Sequence, residues 1–168
     1  KSVCEQAAQG EVVSAVNFNS PGQVVIAGNA AAVGRAMDLA KQEGARRALL
    51  LPVSVPSHCS LMQPAAQTFA ADLAAISIRA PAIQVLHNVD VASHDQPDTI
   101  REALAAQLFK PVRWVETVRA MQGAGLSCIL EMGPGKVLAG LTRRIDKSMQ
   151  GIPVQSAEDI ESALAALQ

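Results

Sequence analysis

The hydrophobic positions of the chain follow the period of a strand in some stretches and that of a helix in others. Two β-branched runs, at residues 12–20 and 23–28, are separated by a Pro-Gly pair, which predicts a β-hairpin over residues 12–28. Ahead of it, residues 1–11 have the period of an amphipathic helix that Gly10 ends. Because no capping residue precedes this helix, we expect the chain to be a fragment of a longer protein.

A second helix and a further strand are predicted after the hairpin. Asn29 is a good N-cap for a helix that Gly44 ends. The apolar run at residues 45–55 is predicted to be a strand, with Pro52 at an edge or a bulge. Helix, strand, strand, helix and strand is the order of a split βαβ unit that lacks its first strand. Residues 1–54 are therefore predicted to form a small subdomain.

The remainder of the chain, residues 55–168, is predicted to be a second α/β region. Its apolar pattern alternates again between the two periods, with helix starts expected at Ser60 and Asp98 and a break forced by Pro111. No internal repeat is present, so the predicted fold class is α/β. The predicted helices cover residues 60–73, 98–109, 112–122, 136–147 and 157–167, and the predicted strands cover residues 83–91, 127–132 and 152–155.

Composition and charge exclude several classes of function. Hydrophobic residues make up 49% of the chain, enough for a sizeable core. The net charge is −1, and three Phe, one Trp and no Tyr are present, which argues against nucleic-acid binding. No apolar run approaches the roughly 20 residues that cross a bilayer. The cysteines, Cys4, Cys59 and Cys128, are odd in number and too widely spaced for a zinc cluster, so a reducing cytoplasm is expected.

A glycine-rich turn, EMGPGKVLAG at residues 131–140, follows a predicted strand and opens a predicted helix. Such a turn can bind a phosphate with its backbone N–H groups. The turn departs from the P-loop pattern at Leu130 and Val137 and from the dinucleotide-binding pattern at Leu138. A tight strand-to-helix turn is therefore the favoured interpretation.

Three histidines are candidates for chemistry. His94 lies in a polar loop where a metal ion would need ligands that the neighbourhood lacks, so a solvated loop is favoured. His87 lies in an apolar strand, where a hydrogen-bonded core histidine is expected. His58, in the stretch VSVPSHCSLMQP, lies where strand gives way to helix, the edge at which open α/β sheets place catalytic groups. From the residues alone, a structural and a catalytic role for His58 are equally open.

The chain offers His58 no obvious nucleophile. Adjacent side chains diverge by about 100° on a helix, so His58 is badly placed to activate Cys59. No Gly-x-Ser-x-Gly nucleophile elbow occurs in the sequence. A nucleophile for His58 must therefore come from elsewhere, and a serine nucleophile of the elbow type is absent from these 168 residues.

Gln107 is a second unusual residue. It lies on an apolar stripe with Ala103, Leu104 and Leu108 that should face the core. A buried amide without a partner costs roughly 1–3 kcal/mol, so a hydrogen bond at this position is expected.

Five stretches of the sequence occur in a fixed order: VNFNSPGQVVIAG, LPVSVPSHCSLM, NVD, AAQLFKPVRW and EMGPGKVLAGLTRRI. In this order they resemble the malonyl-CoA:acyl-carrier-protein transacylases of bacterial type II fatty-acid synthesis, and the similarity covers essentially the whole chain. The resemblance implies an α/β-hydrolase-like large domain with an inserted ferredoxin-like subdomain. Residues 1–54 would be most of the insert without its first strand, and residues 55–168 the C-terminal half of the acyltransferase domain.

The resemblance also implies roles for single residues. In that family a serine in a Gly-His-Ser-x-Gly elbow takes malonyl from coenzyme A and passes it to the phosphopantetheine thiol of acyl carrier protein. His58 matches the catalytic acid/base, and the backbone carbonyl of Gln107 would orient its imidazole. Asn17 and Asn19 match residues that line the acyl-pantetheine cleft, and Ser57 lies beside the acyl pocket. No cofactor or metal is implied, because the coenzyme A thioester is the substrate.

Two departures from the family are evident. The family's serine, its malonate-binding arginine and its Gly-Gln-Gly oxyanion segment have no counterpart in the chain. We therefore expect them upstream of Lys1, and we expect the isolated chain to be inactive. Ser57 stands where many members have phenylalanine, which leaves acyl selectivity open.

The partners implied are malonyl-CoA, acyl carrier protein and a missing N-terminal segment of the same protein. The protein is expected to be a cytoplasmic monomer that binds neither nucleic acid nor membrane. A serine thioester or ester hydrolase and a non-catalytic fragment that binds acyl-CoA or carrier protein are the alternatives. A set of basic residues could recruit an acidic carrier protein, although solvated surface charge explains it equally well: Arg46, Arg47, Arg143, Arg144 and Lys147.

Overall fold

Seven helices and six strands form the described part of the chain in a computed structural model, which describes residues 2–166. Leu167, the last residue of the predicted C-terminal helix, lies outside the described residues. The helices are α1 Ser2–Ala8, α2 Ala30–Gln42, α3 Gln63–Ala74, α4 Pro97–Ala106, α5 Trp114–Gly123, α6 Val137–Ile145 and α7 Ala157–Ala166. The strands are β1 Val13–Ser20, β2 Gln23–Gly28, β3 Leu86–His87, β4 Ala92–Ser93, β5 Cys128–Met132 and β6 Gln150–Val154.

The predicted hairpin is confirmed: β1 and β2 pair across a turn in which Gly22 has a φ of 78°. Helices α1 and α2 pack against it through small side chains. Small residues allow close approach, and their core holds Cys4, Ala7, Val13, Ala32 and Ala36.

The prediction that Asn29 is the N-cap of α2 is confirmed, although its side chain makes no hydrogen bond to the helix N-terminus. Asn29 occupies the N-cap position, but its Oδ1 accepts the backbone N–H of Val12 at 2.9 Å. The Asn29 backbone N–H in turn donates to Val12 O at 2.8 Å. The side chain therefore ties the start of α2 to the residue before β1.

The strand predicted over residues 45–55 is absent. This segment has no strand partner among the described residues, and Leu49, Leu50 and Val53 are 65%, 76% and 67% exposed. A β-branched and aliphatic run forms a strand only when a neighbouring strand takes up its backbone hydrogen bonds. Apolar composition alone predicted the wrong local structure here.

Helices α3 and α4 pack against each other. A 3₁₀ turn at Ser60–Met62 leads into α3, and Pro64 is accommodated in the first turn of that helix. Arg101 on α4 donates from Nε to Leu73 O at 3.0 Å and from Nη2 to Ile76 O at 2.7 Å. The guanidinium therefore ties α4 to carbonyls at the C-terminal end of α3 and just beyond it, where Leu73 O also accepts the N–H of Ile76.

Two further predictions between α3 and α5 need correction. The nine-residue strand predicted at 83–91 is reduced to β3, which pairs antiparallel with β4 in a short hairpin. Asp98 does not cap α4, because Gln96 is the N-cap and Asp98 lies in the first turn, where it accepts from Arg101 Nη1 at 2.9 Å. The helix starts at Pro97, two residues earlier than an N-cap at Asp98 would place it.

The C-terminal elements form a β-α-β unit. β5 and β6 pair in parallel, with Cys128 opposite Gln150 and Met132 opposite Val154. Helix α6 connects them, and a Cβ added at Gly151 would be 2.4 Å from Ala139 O, so the helix backbone lies directly on β6. A glycine is the residue that allows this close approach.

The chain divides into two compact units. One takes in the residues up to Phe18 and Val24–Arg113, and the other takes in Asn19–Gln23 and the residues from Trp114 onward. The fold is mixed α/β, as predicted. The domain boundary between residues 54 and 55 is a property of the whole protein and stays a prediction.

Candidate active site

His58 lies in a short turn between the exposed segment and α3, and its backbone conformation is unusual. Its φ is 66°, in the left-handed region that non-glycine residues rarely adopt. The His58 N–H donates to Leu108 O at 2.9 Å, which holds the turn against the end of α4. Cys59, next to it, is buried and donates its thiol to Pro56 O at 3.2 Å. A strained backbone held by surrounding contacts is frequent at functional sites.

The imidazole of His58 is oriented by the backbone of α4. Its Nδ1 lies 2.6 Å from the carbonyl oxygen of Gln107. A carbonyl oxygen can only accept a hydrogen bond, so Nδ1 carries the proton. In the neutral ring, Nε2 is then without a proton and can accept one from a reacting group. The structure thus brings His58 and Gln107 together, through the backbone carbonyl rather than the side-chain amide.

The sequence explains why the carbonyl of Gln107 is available. In a continuing helix, this oxygen would accept the N–H of the residue four positions later. That residue is Pro111, which has no N–H. The carbonyls of Ala105 and Ala106 accept from Leu108 and Lys110, so the helix end is satisfied around Gln107 without using its oxygen.

An apolar cavity of about 350 Å³ opens beside His58. Ser57 lies in its wall next to the histidine, where the resemblance places the acyl pocket. Among the described residues that line it, His58 is the one with an ionisable side chain. The lining consists of Ser57, His58, Met62, Phe69, Leu104, Gln107 and Leu108.

A smaller cavity, of about 40 Å³, touches His58 and the end of α4. Its walls include the β3–β4 turn and the segment that follows α4. The lining consists of His58, Asn88, Val89, Gln107, Lys110, Pro111 and Val112. Lys110 brings a positive charge to this cavity.

The two predicted asparagines lie in β1. Asn17 forms a parallel bridge with Val112, which lines the smaller cavity, and Phe18 N–H donates to Val112 O at 3.0 Å. This part of β1 is therefore attached to the segment that follows α4. Asn19 belongs to the second compact unit, and its role in the cleft stays a prediction.

His87 and His94 lie in the β3–β4 hairpin. His87 is buried, and the His94 Nε2 lies 2.7 Å from Asp90 Oδ2, so His94 is more ordered than the predicted solvated loop. Partial burial would raise the pKa of Asp90, but the hydrogen bonds from His94 and Ala92 and the charges of both histidines together lower it. No group of three His, Cys, Asp or Glu side chains within residues 2–166 is arranged to hold a metal ion.

The glycine-rich turn is not arranged as a phosphate site. Glu131 Oε2 accepts the N–H of Ala139 in the first turn of α6 at 2.8 Å, so a carboxylate of the chain already occupies this helix N-terminus. Gly133 and Gly135 have φ values of 126° and 123°, and Gln155 Nε2 donates to Gly135 O at 2.6 Å. These contacts support the favoured interpretation of a tight strand-to-helix turn.

Sequence reasoning missed most of the residues that line the two cavities. Leu104 and Leu108 were assigned to the core by their helical period, whereas both are half-buried and line the larger cavity. Lys110 gave no signal except its position before Pro111, where a helix must end. A search for polar or charged residues at the ends of helices that face His58 would have found it.

The fold and the site define a class of protein: a mixed α/β protein whose site is built on a histidine oriented for acid/base chemistry beside an apolar cleft. Residues 1–164 match the family model of the acyl transferase domain, and the chain belongs to that family. No helix in the described range is long and apolar enough to pass through a membrane.

The relatives have consistent names. The chain is 58% identical over 153 residues to the malonyl CoA-acyl carrier protein transacylase of Haemophilus influenzae, covering 91% of this chain and 49% of that protein. A crystal structure of an acyl carrier protein S-malonyltransferase from Vibrio cholerae matches with a TM-score of 0.95 and 54% identity, covering 96% of this chain and 53% of the other.

A third relative was solved with a partner. It is a malonyl-transacylase in complex with its type II PKS acyl-carrier protein, 49% identical with a TM-score of 0.96, and the match covers 98% of this chain and 53% of that chain. The chain therefore spans about half the length of the relatives it matches.

Proposed function

We propose that the full-length protein transfers a malonyl group from malonyl-CoA to the phosphopantetheine thiol of acyl carrier protein in fatty-acid biosynthesis. The observation that carries the proposal is the 2.6 Å contact between His58 Nδ1 and Gln107 O, which leaves Nε2 as a free base. Family membership and the names of the relatives support malonyl as the acyl group and acyl carrier protein as the acceptor.

The proposed mechanism has two acyl transfers through one histidine. A serine hydroxyl from outside these 168 residues attacks the thioester carbonyl while His58 Nε2 takes its proton. The carbon–sulfur bond breaks, and the imidazolium returns the proton to the coenzyme A sulfur. In the second half, Nε2 takes the proton of the phosphopantetheine thiol, the sulfur attacks the acyl-serine ester, and the serine oxygen leaves with that proton. Gln107 O stabilises the imidazolium of both halves through Nδ1–H.

We further propose that the residues form the C-terminal half of an α/β-hydrolase-like domain, from residue 55, and most of a ferredoxin-like insert, up to residue 54. In a split βαβ unit the last strand pairs with the first. If the first strand lies outside the chain, the apolar run at residues 45–55 has no partner, which accounts for its exposed leucines. The parallel pair β5–β6 supports the same proposal, because parallel sheets are normally covered on both faces, and Met132 is 67% exposed.

Two further parts of the proposal concern the compartment and oligomeric state of the enzyme and the residues that contact its substrate. A cytoplasmic monomer is proposed, and the free thiols of all three cysteines are compatible with a reducing compartment. Asn17, Asn19 and Ser57 are proposed to contact the acyl-pantetheine arm. Ser57 has the best support of the three, because it lines the cavity next to His58.

The full-length protein, incubated with radiolabelled malonyl-CoA with and without holo acyl carrier protein, tests the proposal. We expect a malonyl-enzyme that persists alone and discharges rapidly to the carrier thiol. A malonyl-enzyme that loses its label to water equally fast in both mixtures would replace the transferase by a thioester hydrolase. Absence of any covalent malonyl-enzyme would contradict both the transferase and the hydrolase assignments and would favour a protein that only binds its ligand.

A further inference from the structure

Lys110 stands out among the residues around His58 by its charge. Within residues 2–166, it is the one lysine, arginine or carboxylate residue that lines either cavity. The other walls of the smaller cavity are neutral: an asparagine, a glutamine, a proline and two valines, besides His58. A cation among neutral groups attracts an anion more strongly than a cation paired with a carboxylate does.

The ammonium group of Lys110 has no hydrogen bond or ion pair with any residue in the range 2–166. Its neighbour Arg113, by contrast, donates from Nη1 to Asp90 O at 3.2 Å. The side chain of Lys110 is exposed, so it can reach a bound molecule without breaking an internal contact. A flexible side chain with three donors suits an oxyanion whose position differs between substrates.

The backbone that carries Lys110 is held on both sides. Its own N–H donates to Ala106 O at 2.9 Å, and Val112 N–H donates to Val16 O at 2.8 Å. The same segment supplies the carbonyl that orients His58. The backbone of Lys110 is therefore fixed relative to His58 Nε2, while its ammonium group is free to move.

We infer that Lys110 binds an anionic oxygen of the acyl thioester during its approach to His58. The inference rests on the proposed function, because it takes the substrate to be malonyl-CoA. Two groups of that molecule have the required chemistry, the phosphates of coenzyme A and the carboxylate of the malonyl group. Either contact makes Lys110 a specificity-determining residue for charged thioesters.

The test uses the full-length protein with Lys110→Met and Lys110→Arg, and with Lys41→Met as a matched control. Lys41 is an exposed lysine of α2 that pairs with Asp38. Dissociation constants are measured by calorimetry for three ligands: malonyl-CoA, free coenzyme A, and malonyl N-acetylcysteamine, which has the carboxylate but no phosphate. We expect Lys110→Met to weaken malonyl-CoA binding about 3- to 10-fold at low salt, the range for one partly solvated charge-assisted hydrogen bond, and less at high salt.

The other two ligands identify the contact. Weaker binding of coenzyme A with unchanged binding of malonyl N-acetylcysteamine assigns the phosphates, and the reverse pattern assigns the carboxylate. Equal dissociation constants for wild type and Lys110→Met with all three ligands would overturn the inference. So would a loss in Lys110→Arg as large as in Lys110→Met, because a retained positive charge would then fail to preserve binding. The Lys110 variants are compared in a His58→Asn background, where the proposed acylation of serine is slow, so that binding is read without turnover. A protein with His58 that transfers nothing refutes the proposed function, and the dissociation constants still test Lys110.

Discussion

At the scale of single residues, the geometry of the site depends on a proline that touches no substrate in the proposed mechanism. Pro111 lacks the N–H that would otherwise occupy Gln107 O, and that oxygen instead accepts the proton of His58 Nδ1. The left-handed backbone of His58, with a φ of 66°, directs the ring toward α4. The tautomer of the base is thus a consequence of where the helix ends.

This account separates the carbonyl of Gln107 from its side chain. Gln107→Ala keeps the backbone carbonyl, so malonyl transfer by the full-length protein should change by less than about 3-fold. Pro111→Ala restores an N–H that competes for the same oxygen, and it should lower kcat about 10- to 100-fold through misplacement of the imidazole. Steady-state kinetics with both variants decide whether the backbone carbonyl or the side-chain amide of Gln107 orients His58. A large loss in Gln107→Ala with a normal Pro111→Ala would place the role in the amide side chain.

At the scale of elements, close backbone contacts explain which parts of the fold the sequence predicts well. The hairpin β1–β2 and the β-α-β unit were predictable because turn glycines and apolar periods agree with each other. The absence of a strand at residues 45–55 was not predictable. A strand also needs a neighbouring strand as partner, and the side-chain pattern does not indicate whether one is present. Asn29 is the predicted N-cap, but its side chain accepts the N–H of Val12, 17 residues away in the sequence, a contact that the local pattern does not indicate.

Gly28 is predicted to be essential for the close approach of the end of β2 to the backbone at the start of β1. A Cβ at this position would lie 2.0 Å from Val12 O, a backbone atom that cannot move aside. Gly28→Ala should lower the free energy of unfolding by about 1–3 kcal/mol. Gly34→Ala is the control: Gly34 lies inside α2 with nothing within 4 Å of the added Cβ, so it should raise that free energy by roughly 0.5–1 kcal/mol. Urea unfolding of the two variants in the full-length protein measures both changes in the free energy of unfolding. Equal changes for Gly28→Ala and Gly34→Ala would contradict the close contact at Gly28.

At the scale of the whole molecule, the described residues expose more apolar surface than a finished core would. Leu50 is 76% exposed and Ile83 is 81% exposed, and the chain spans about half the length of its relatives. Large exposed apolar areas mark interaction surfaces or ligand-binding grooves. The sequence could predict His58 and Gln107 as partners through family resemblance, but their contact depends on the end of α4 and on the turn before α3 meeting in space.

The most direct test of the central claim is the rate of malonyl transfer from malonyl-CoA to holo acyl carrier protein by the full-length protein and its His58 variants. His58→Ala removes the base, and His58→Asn removes it while keeping a residue that tolerates a positive φ. Both should lower transfer by about 10²–10⁴, the usual contribution of a positioned acid/base, with His58→Asn unfolding at the same urea concentration as wild type. Near wild-type transfer by a folded His58→Asn protein would contradict the account and make His58 a structural histidine.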